Sequence, residues 1–410
     1  AFCVNPTCSP SRSALLTGTY PQECGMIGLA NHGPSLKDTT EHLAHFLSGQ
    51  GYATALAGVQ HETHGDRKEM GYARMLDDEM EVDPAIDWDV ASGHRADRFF
   101  GEARDRPFFL SVGFMQTHRL GRFHSVGSPP DGDPRYVRPP APLPDTPETR
   151  QDYADYAVAA EQMDASMGNV LDALERHGLA ANTLVILTTD HGIAFPMMKG
   201  QLSDHGTGVM LLLRGPGPGG RRFEGGGVVD AIVSHLDLFP TICDTLGLDP
   251  PERLRGKSLR PLLDGSAERL HERLFSETNY HASYEPARAV RTERYKYIRR
   301  IAPRSHPILP NCDDSPSKDR LLAEGWQDRP QPPEALHDLV FDPNEAANLA
   351  GDPAYAAILA DCRERLEAWM QETHDPALAG EVPPAPGANA VPRDGRSPGE
   401  VWEPITETPD

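Results

Sequence analysis

The first part of the chain alternates between two hydrophobic patterns. Residues 40–47 carry apolar side chains at helical spacing, and residues 152–177 do so over a longer stretch. Short apolar runs at 52–58, 107–114 and 183–189 are typical of buried strands. Because helices and buried strands alternate, the pattern predicts an α/β domain built on a mostly parallel sheet.

The pattern changes from about residue 274 onward. Short alternating strands at 274–277, 287–291 and 295–298 replace the longer apolar runs. A helical pattern at 353–373 follows them. This order predicts a small antiparallel sheet with one packed helix.

These changes divide the chain into three predicted parts. We expect a large α/β domain at 1–270 and a small C-terminal α+β subdomain at 271–376. Residues 377–410 are rich in Pro, Ala and Glu without a period, which predicts a loose tail. The apolar stretch 1–4 reads as a strand entered part-way and begins with Ala, so it predicts a truncated N-terminus.

Composition narrows the expected partners. The net charge of −22 argues against nucleic acid, and it requires local cations to hold any anionic substrate. No apolar run approaches the roughly 20 residues of a membrane span, so we expect no membrane partner. The six cysteines are scattered without a CxxC pair, which indicates neither a zinc knot nor a dense disulfide scaffold. The compartment and the oligomeric state stay open on these features.

The stretch from Cys8 to Arg12 has the residues of a reactive segment. Pro10 is suited to open a helix because its missing N–H is not needed there, and Ser9 or Ser11 could cap that helix. A group at Cys8 would then face the free N–H groups and positive end of the helix, with Arg12 as a fixed cation beside it. The arrangement predicts a site for a tetrahedral oxyanion.

Polar residues follow each of the three predicted strands of the large domain. His61 follows the first, His118 the second, and the pair Asp190 and His191 the third. Open α/β sheets place their chemistry at such carboxyl ends. An acid beside a histidine suits a divalent cation; the acid favours a hard ion, and the histidine leaves room for magnesium, manganese or zinc. A lone loop histidine is more often solvated than catalytic, so the roles of the histidines need further support.

That support comes from a family resemblance. The run Cys-x-Pro-Ser-Arg, followed by Leu-Thr-Gly at 16–18, resembles the signature of type I, formylglycine-dependent sulfatases of the alkaline phosphatase superfamily. The resemblance implies an alkaline phosphatase-like sandwich: a mostly parallel central sheet between helices, plus a small C-terminal antiparallel sheet. It also implies that a formylglycine-generating enzyme oxidises Cys8 to formylglycine, whose hydrate attacks sulfur.

The resemblance assigns roles to the surrounding residues. Arg12 stabilises the formylglycine, and Lys199 and His118 bind sulfate oxygens. His118 is also the first candidate for proton donor to the leaving group, and His61 the candidate base for release of sulfate. A sulfated small molecule or carbohydrate is the expected substrate.

A metal site is implied by the same resemblance. Asp190, His191 and the modified Cys8 would ligate a divalent ion, expected to be Ca²⁺, with Mg²⁺ or Mn²⁺ as the other options. The family's remaining ligands are an Asp-Asp pair on a first strand, which we expect to precede Ala1. The family's usual lysine falls on Val59, so that cation is missing.

Details of the motifs leave alternatives open. His118-Arg119 and Gly192-Ile193-Ala194-Phe195-Pro196 look like the heparan N-sulfatase (sulfamidase) branch, which favours an N- or O-sulfated amino sugar. A phosphonate monoester hydrolase or phosphodiesterase of the same superfamily is the first alternative. An inactive carbohydrate-binding relative is the second, because of Val59 and the missing first strand.

Overall fold

The protein is described from a computed structural model, which covers residues 1–83, 86–103, 105–124, 130–223 and 226–405. Its α-helices, in chain order, are α1 Cys8–Thr17, α2 Pro21–Cys24, α3 Leu43–Gly49, α4 Leu76–Glu79, α5 Trp88–Glu102, α6 Pro147–Arg176, α7 Asp204–Thr207, α8 Leu238–Leu246, α9 Arg260–Leu263, α10 Pro316–Ala323 and α11 Ala356–Glu372. Its strands are β1 Ala53–Gly58, β2 Arg74–Met75, β3 Phe108–Gly113, β4 Arg119–Leu120, β5 Arg122–Phe123, β6 Val185–Thr188, β7 Leu211–Pro216, β8 Arg222–Phe223, β9 Arg273–Tyr280, β10 Tyr284–Thr292, β11 Tyr295–Arg300, β12 Glu334–Asp338, β13 Asn389–Ala390 and β14 Glu403–Pro404.

A parallel sheet with strand order β2-β1-β3 forms the first half of the large domain. Side chains alternate along β1, so Ala55 and Ala57 pack against α5 and α6 while Leu56 packs on the opposite face with Ala44 of α3. Helices therefore cover both faces, which is why the strands read as continuous apolar runs.

A second sheet, with order β6-β7-β8, is antiparallel. Strands β3 and β6 both line a cavity of about 1410 Å³, together with apolar side chains of α6 and α8. Among the described residues, β3 pairs with β1 alone and β6 with β7 alone. Because Cys8, His118 and Asp190 also line this cavity, it reaches the polar residues that follow the two strands.

The predicted small antiparallel sheet is present with order β12-β11-β10-β9. Its core joins Tyr284, Tyr297 and Leu336 to Leu366 and Trp369 of α11. The backbone N–H of Glu277 in β9 donates to the carbonyl of Val4 at 2.8 Å, which attaches this sheet to the start of the chain. The division of the chain at residue 270 stays a prediction.

The tail differs from its prediction. Val382 is fully buried, and its backbone bonds the hydroxyl groups of Tyr280 and Tyr284. Strands β13 and β14 pair, and the Trp402 ring stacks on His32 with centroids 3.4 Å apart. The composition predicted a loose arm because Pro and Ala carry little periodicity, but scattered apolar residues are enough to dock the segment. Residues 406–410 lie outside the described range.

Element boundaries also shifted. Helix α1 begins at Cys8 itself rather than after it, and it ends where Gly18 adopts a left-handed φ of 73°. Helix α6 begins at Pro147, ahead of the predicted start at residue 152, because Thr146 caps it and Pro suits the first helical position. In the part of the chain that the structure describes, no helix is long and apolar enough to cross a membrane.

Candidate active site

Helix α1 presents Cys8 on its first turn. The predicted capping by serine is wrong: Ser9 Oγ accepts from the Ala30 N–H at 3.0 Å, and the Ser11 hydroxyl donates to the carbonyl of Asp190. Upstream, Asn5 Oδ1 accepts from the Thr7 N–H at 3.0 Å. The serines therefore tie the helix to neighbouring loops, and no side chain caps its first turn among the described residues.

Asp190 and His191 lie against this turn, as predicted. Arg12 Nε donates to Asp190 Oδ2 at 2.8 Å, and Cys8 Sγ lies 3.3 Å from His191 Nε2. His191 Nδ1 lies 2.7 Å from the carbonyl oxygen of Gly192, which orients the ring so that Nε2 faces Cys8. Residues separated by about 180 positions in sequence thus meet at one point.

The charges at this point reinforce one another. Burial alone would raise the pKa of the Cys8 thiol, but the positive charges of Lys199 and His191 hold it well below its usual value. Burial likewise opposes ionisation of Asp190, yet His191 and Arg12 keep the pKa of that carboxyl below its usual range. Although burial opposes it, Asp190 and Cys8 raise the pKa of His191 to about 9. The site therefore stabilises a negative charge at position 8.

Lys199 reaches the site from the loop after β6. Its Nζ donates to Asp313 Oδ2 at 2.9 Å, and both side chains are largely buried. Burial and the nearby Lys199 charge lower the pKa of His118, which lines the same cavity as Cys8. Both predicted residues are thus close enough to Cys8 to interact with it electrostatically.

His61 also lies beside Cys8, and it adds to the effect of Lys199 and His191 in lowering the pKa of the thiol. Its Nε2 lies 3.0 Å from Asn31 Oδ1, which sets the ring orientation. Glu62, buried next to it, accepts from the His61 backbone N–H at 3.2 Å. Val59 offers no cation, so Arg12 and Lys199 supply the permanent positive charge among the described residues that act on Cys8 or Asp190.

A second cluster of possible ligands comprises Asp87, Asp89 and His124. Asp89 is fully buried and accepts the backbone N–H groups of Met115 and Gln116 at 2.7 and 2.8 Å. This carboxylate therefore holds the loop that carries His118. We assign it a structural role in placing that loop.

Four residues near the site were not predicted: Asn31, Glu62, His281 and Asp313. Each lies far from Cys8 in sequence or in a stretch without a clear pattern. Asp313 and His281 come from the C-terminal half, where the pattern indicated only packing. The one available signal was the Asp313-Asp314 pair in a non-helical, Pro-rich stretch, which local spacing could not connect to Lys199.

The donor set fits a divalent cation. A ligand atom from each of Cys8, Asp190 and His191 lies within 4.8 Å of the others, and Asp190 favours its ionised form. An ionised carboxylate and an imidazole oriented by a backbone carbonyl are a common basis for metal ligation. In the described part of the chain no Asp-Asp pair joins this cluster.

Comparisons with known proteins identify related chains. A family model described as Sulfatase matches residues 1–248, and one described as N-sulphoglucosamine sulphohydrolase, C-terminal, matches residues 202–315. Human N-sulphoglucosamine sulphohydrolase is 31% identical over 426 residues, covering 92% of this chain and 83% of that protein.

Two solved structures show the shared fold. A 2-O GAG sulfatase superposes with a TM-score of 0.65 at 22% identity, over 98% of this chain and 89% of the other. A phosphonate monoester hydrolase from Silicibacter pomeroyi gives a TM-score of 0.62 at 20% identity, over 92% and 88%. The predicted alkaline phosphatase-like fold is confirmed. Together with the match over residues 1–248, these findings mean that the chain belongs to the sulfatase family of the alkaline phosphatase superfamily, a family of sulfuric ester hydrolases.

Proposed function

We propose that this protein hydrolyses sulfated sugars with a formylglycine formed from Cys8. The observation that carries the proposal is the convergence on Cys8 of His191, the Arg12–Asp190 pair and Lys199. A cluster of cations around one small side chain suits an anionic group that forms a bond at that side chain. A formylglycine-generating enzyme would be the maturation partner.

Residue 8 is the proposed nucleophile. Oxidised to formylglycine and hydrated, its side chain would offer one hydroxyl to attack sulfur and a second to expel sulfate. Cys8 Sγ marks roughly where an oxygen of that hydrate would lie, at the positive end of α1. Arg12 holds the negative charge that develops there.

Lys199 and His118 would bind the sulfate oxygens. Burial and the positive charge of Lys199 lower the pKa of His118 in the free protein, and bound sulfate would offset that charge and favour the protonated ring. His118 can then protonate the leaving group. His61, oriented by Asn31 beside Cys8, is placed to take a proton from the second hydroxyl.

Asp190, His191 and residue 8 would hold a divalent cation, which we propose is Ca²⁺, with Mg²⁺ or Mn²⁺ as the other options. When bound, the cation would supply positive charge that stabilises the attacking oxygen. The donors present are oxygen and nitrogen atoms once Cys8 is modified, which suits these ions.

The proposed substrate is an N- or O-sulfated amino sugar. The human relative is named for N-sulphoglucosamine, and the run from Gly192 to Pro196 precedes Lys199 as the sulfamidase resemblance implies. The match of residues 202–315 to the C-terminal family model of that enzyme extends the similarity into the part that supplies Asp313.

A phosphonate monoester hydrolase is the second candidate, because one shares this fold. A tetrahedral phosphonate would suit the same cations. Parallel assays with an aryl sulfate and an aryl phosphonate monoester separate the two candidates. Binding of a sulfated sugar without release of sulfate would instead support the inactive, carbohydrate-binding alternative.

The test begins with the modification. We expect the tryptic peptide containing residue 8 to be lighter by about 18 Da than its unmodified form when the protein is made with a formylglycine-generating enzyme. We expect Cys8→Ala to fold normally and to lose sulfate release entirely. Sulfate release by the Cys8→Ala variant would refute the mechanism.

A further inference from the structure

Asp313 presents a problem for a site that binds an anion. Its carboxylate lies 2.9 Å from Lys199 Nζ, and its side chain is 13% exposed. Burial opposes ionisation of the Asp313 carboxyl, but the charge of Lys199 keeps the pKa of that carboxyl below its usual range. A fixed negative charge beside a sulfate-binding lysine weakens the attraction for sulfate. The presence of the Asp313 carboxylate is explained if the substrate brings a hydrogen-bond donor to that side of the sulfate.

His281 points to the same place. It lies in the turn between β9 and β10, it is 7% exposed, and its Nδ1 has no hydrogen-bond partner among the described residues. A buried polar atom without a partner is unfavourable unless a ligand satisfies it. The ring is close enough to Lys199, Asp313 and Cys8 to interact with their charges.

The surroundings hold His281 in place without using that atom. The Ser283 N–H donates to Asn311 Oδ1 at 2.8 Å, and Asn311 Nδ2 donates to Glu285 at 2.9 Å. These bonds join the turn to the loop that carries Asp313. The turn and the loop therefore form one hydrogen-bonded wall beside Lys199.

The protonation states define what this wall can recognise. Burial and Lys199 lower the pKa of His281 to about 4, so its ring is neutral at neutral pH. Ionised Asp313 can accept hydrogen bonds but cannot donate them. A sulfamate carries an N–H next to sulfur, whereas the bridging oxygen of a sulfate ester carries no hydrogen.

We propose that Asp313 and His281 form a leaving-group subsite that binds the N–H of a sulfamate and disfavours the bridging oxygen of a sulfate ester. The proposal rests on the proposed sulfatase function and adds the residues that choose between its two substrate classes. Attraction to the N–H and repulsion of the ester oxygen by the Asp313 carboxylate both contribute to the choice.

The test compares phenyl sulfate with N-phenylsulfamate, which differ only in the bridging group. We expect Asp313→Asn to lower the ratio of kcat/KM for sulfamate to that for ester by about tenfold or more. Asp314→Asn is the matched control, because Asp314 pairs with Lys318 at 2.9 Å in the same loop and does not contact Lys199 in the structure. The ratio of kcat/KM for sulfamate to that for ester should be the same in Asp314→Asn as in the wild type.

His281→Leu provides an independent variant. Because Nδ1 has no partner in the described structure, we expect its thermal midpoint to equal or exceed that of the wild type while the ratio falls by about tenfold. If both variants lose kcat/KM equally on the two substrates, the ratio does not change and the subsite proposal is overturned. Asp313 and His281 would then only support Lys199. A wild type that hydrolyses the ester but not the sulfamate would also overturn it. A wild type that carries formylglycine and hydrolyses neither compound would overturn the proposed function together with the subsite.

Discussion

The ion pair between Lys199 and Asp313 would serve both stability and chemistry in the proposed mechanism. Both side chains are largely buried, so each charge depends on the other for compensation. Lysine has three N–H donors, and Asp313 occupies one of them. In the proposed mechanism the remaining donors would bind the anion, so the pair would fix the position of Lys199 without using all of its hydrogen-bond donors.

The two effects can be separated by mutation. We expect Lys199→Met to lower kcat/KM for an aryl sulfate by about 100-fold, since one cation at the sulfate is lost. The same change leaves Asp313 buried without its partner, which should cost about 3–5 kcal/mol of unfolding free energy. Urea unfolding and sulfate release measure the two losses.

The matched variant replaces both partners. We expect Lys199→Met combined with Asp313→Leu to regain most of the stability, because an apolar pair of similar volume needs no charge compensation. Activity toward the aryl sulfate should rise only as far as loss of the Asp313 charge allows and stay well below that of the wild type, because the cation at the sulfate is still missing. Recovery of wild-type activity in the double variant would show that Lys199 does not bind sulfate.

The sequence predicted some of the residues at the site but not all of them. Cys8, Arg12 and the Asp190–His191 pair were found because motif and strand-end position coincide, and the structure brings them within hydrogen-bond distance. Their catalytic roles remain predictions. Asp313 escaped prediction because its partner lies 114 positions away, and no local pattern records such a contact.

Strands β1 and β3 end together at a pair of glycines. Gly58 and Gly113 face each other in register, and a Cβ built on Gly113 would lie 1.8 Å from the carbonyl oxygen of Val59. The Val59 N–H donates to the Gly113 carbonyl at 2.9 Å. The close approach of the two strand ends therefore sets the path of the segment that carries His61.

Gly113→Ala tests this close approach. We expect the variant to lose about 2 kcal/mol of unfolding free energy, because the new methyl group must displace backbone. Turnover should fall as well, since the Val59–His61 segment moves away from Cys8. Gly168→Ala is the control: Gly168 lies within α6 with open space around it, so the change should stabilise the protein by about 0.5–1 kcal/mol. Unchanged turnover in Gly113→Ala would contradict the positioning role.

Periodicity predicted the elements better than their ends. The apolar runs located β1, β3 and β6 because strands covered on both faces need continuous apolar side chains. The start of α6 was misplaced because a proline-rich approach reads as loop until Thr146 is recognised as a cap. The folded tail was missed because its contacts with Tyr280 and Tyr284 are tertiary.

The two halves of the molecule meet at a buried charged cluster. Arg288 of β10 bonds Asp375, and Glu277 of β9 lies against the same guanidinium at 3.9 Å. The Glu277 carboxylate also accepts the backbone N–H of Gln22 at 3.1 Å. The C-terminal sheet, the segment after α11 and the N-terminal region thus share one set of charges. Family and fold were predictable because the motifs span the chain, whereas this junction depends on contacts that no motif contains.

This junction predicts a pH dependence of stability. One guanidinium faces two buried carboxyls, so burial and the Asp375 charge raise the pKa of Glu277 to about 8, above the value of an unfolded glutamate. The folded state therefore holds a proton that the unfolded state releases, and stability from this group falls as pH rises from about 4.5 through about 8. A glutamine at position 277 keeps the acceptor for Gln22 but cannot ionise.

We therefore expect Glu277→Gln to match the wild type in urea unfolding near about pH 4.5 and to exceed it by about 1–3 kcal/mol near about pH 9. Asp375→Asn is the opposing variant: it removes the carboxylate that Arg288 bonds through two nitrogen atoms, so it should destabilise the protein at both pH values. If the gain in Glu277→Gln is the same at both pH values, Glu277 is ionised in the folded protein throughout, and the junction holds two negative charges against one positive charge. If the gain appears only at high pH, the shared proton is what allows the two halves to pack around a single guanidinium.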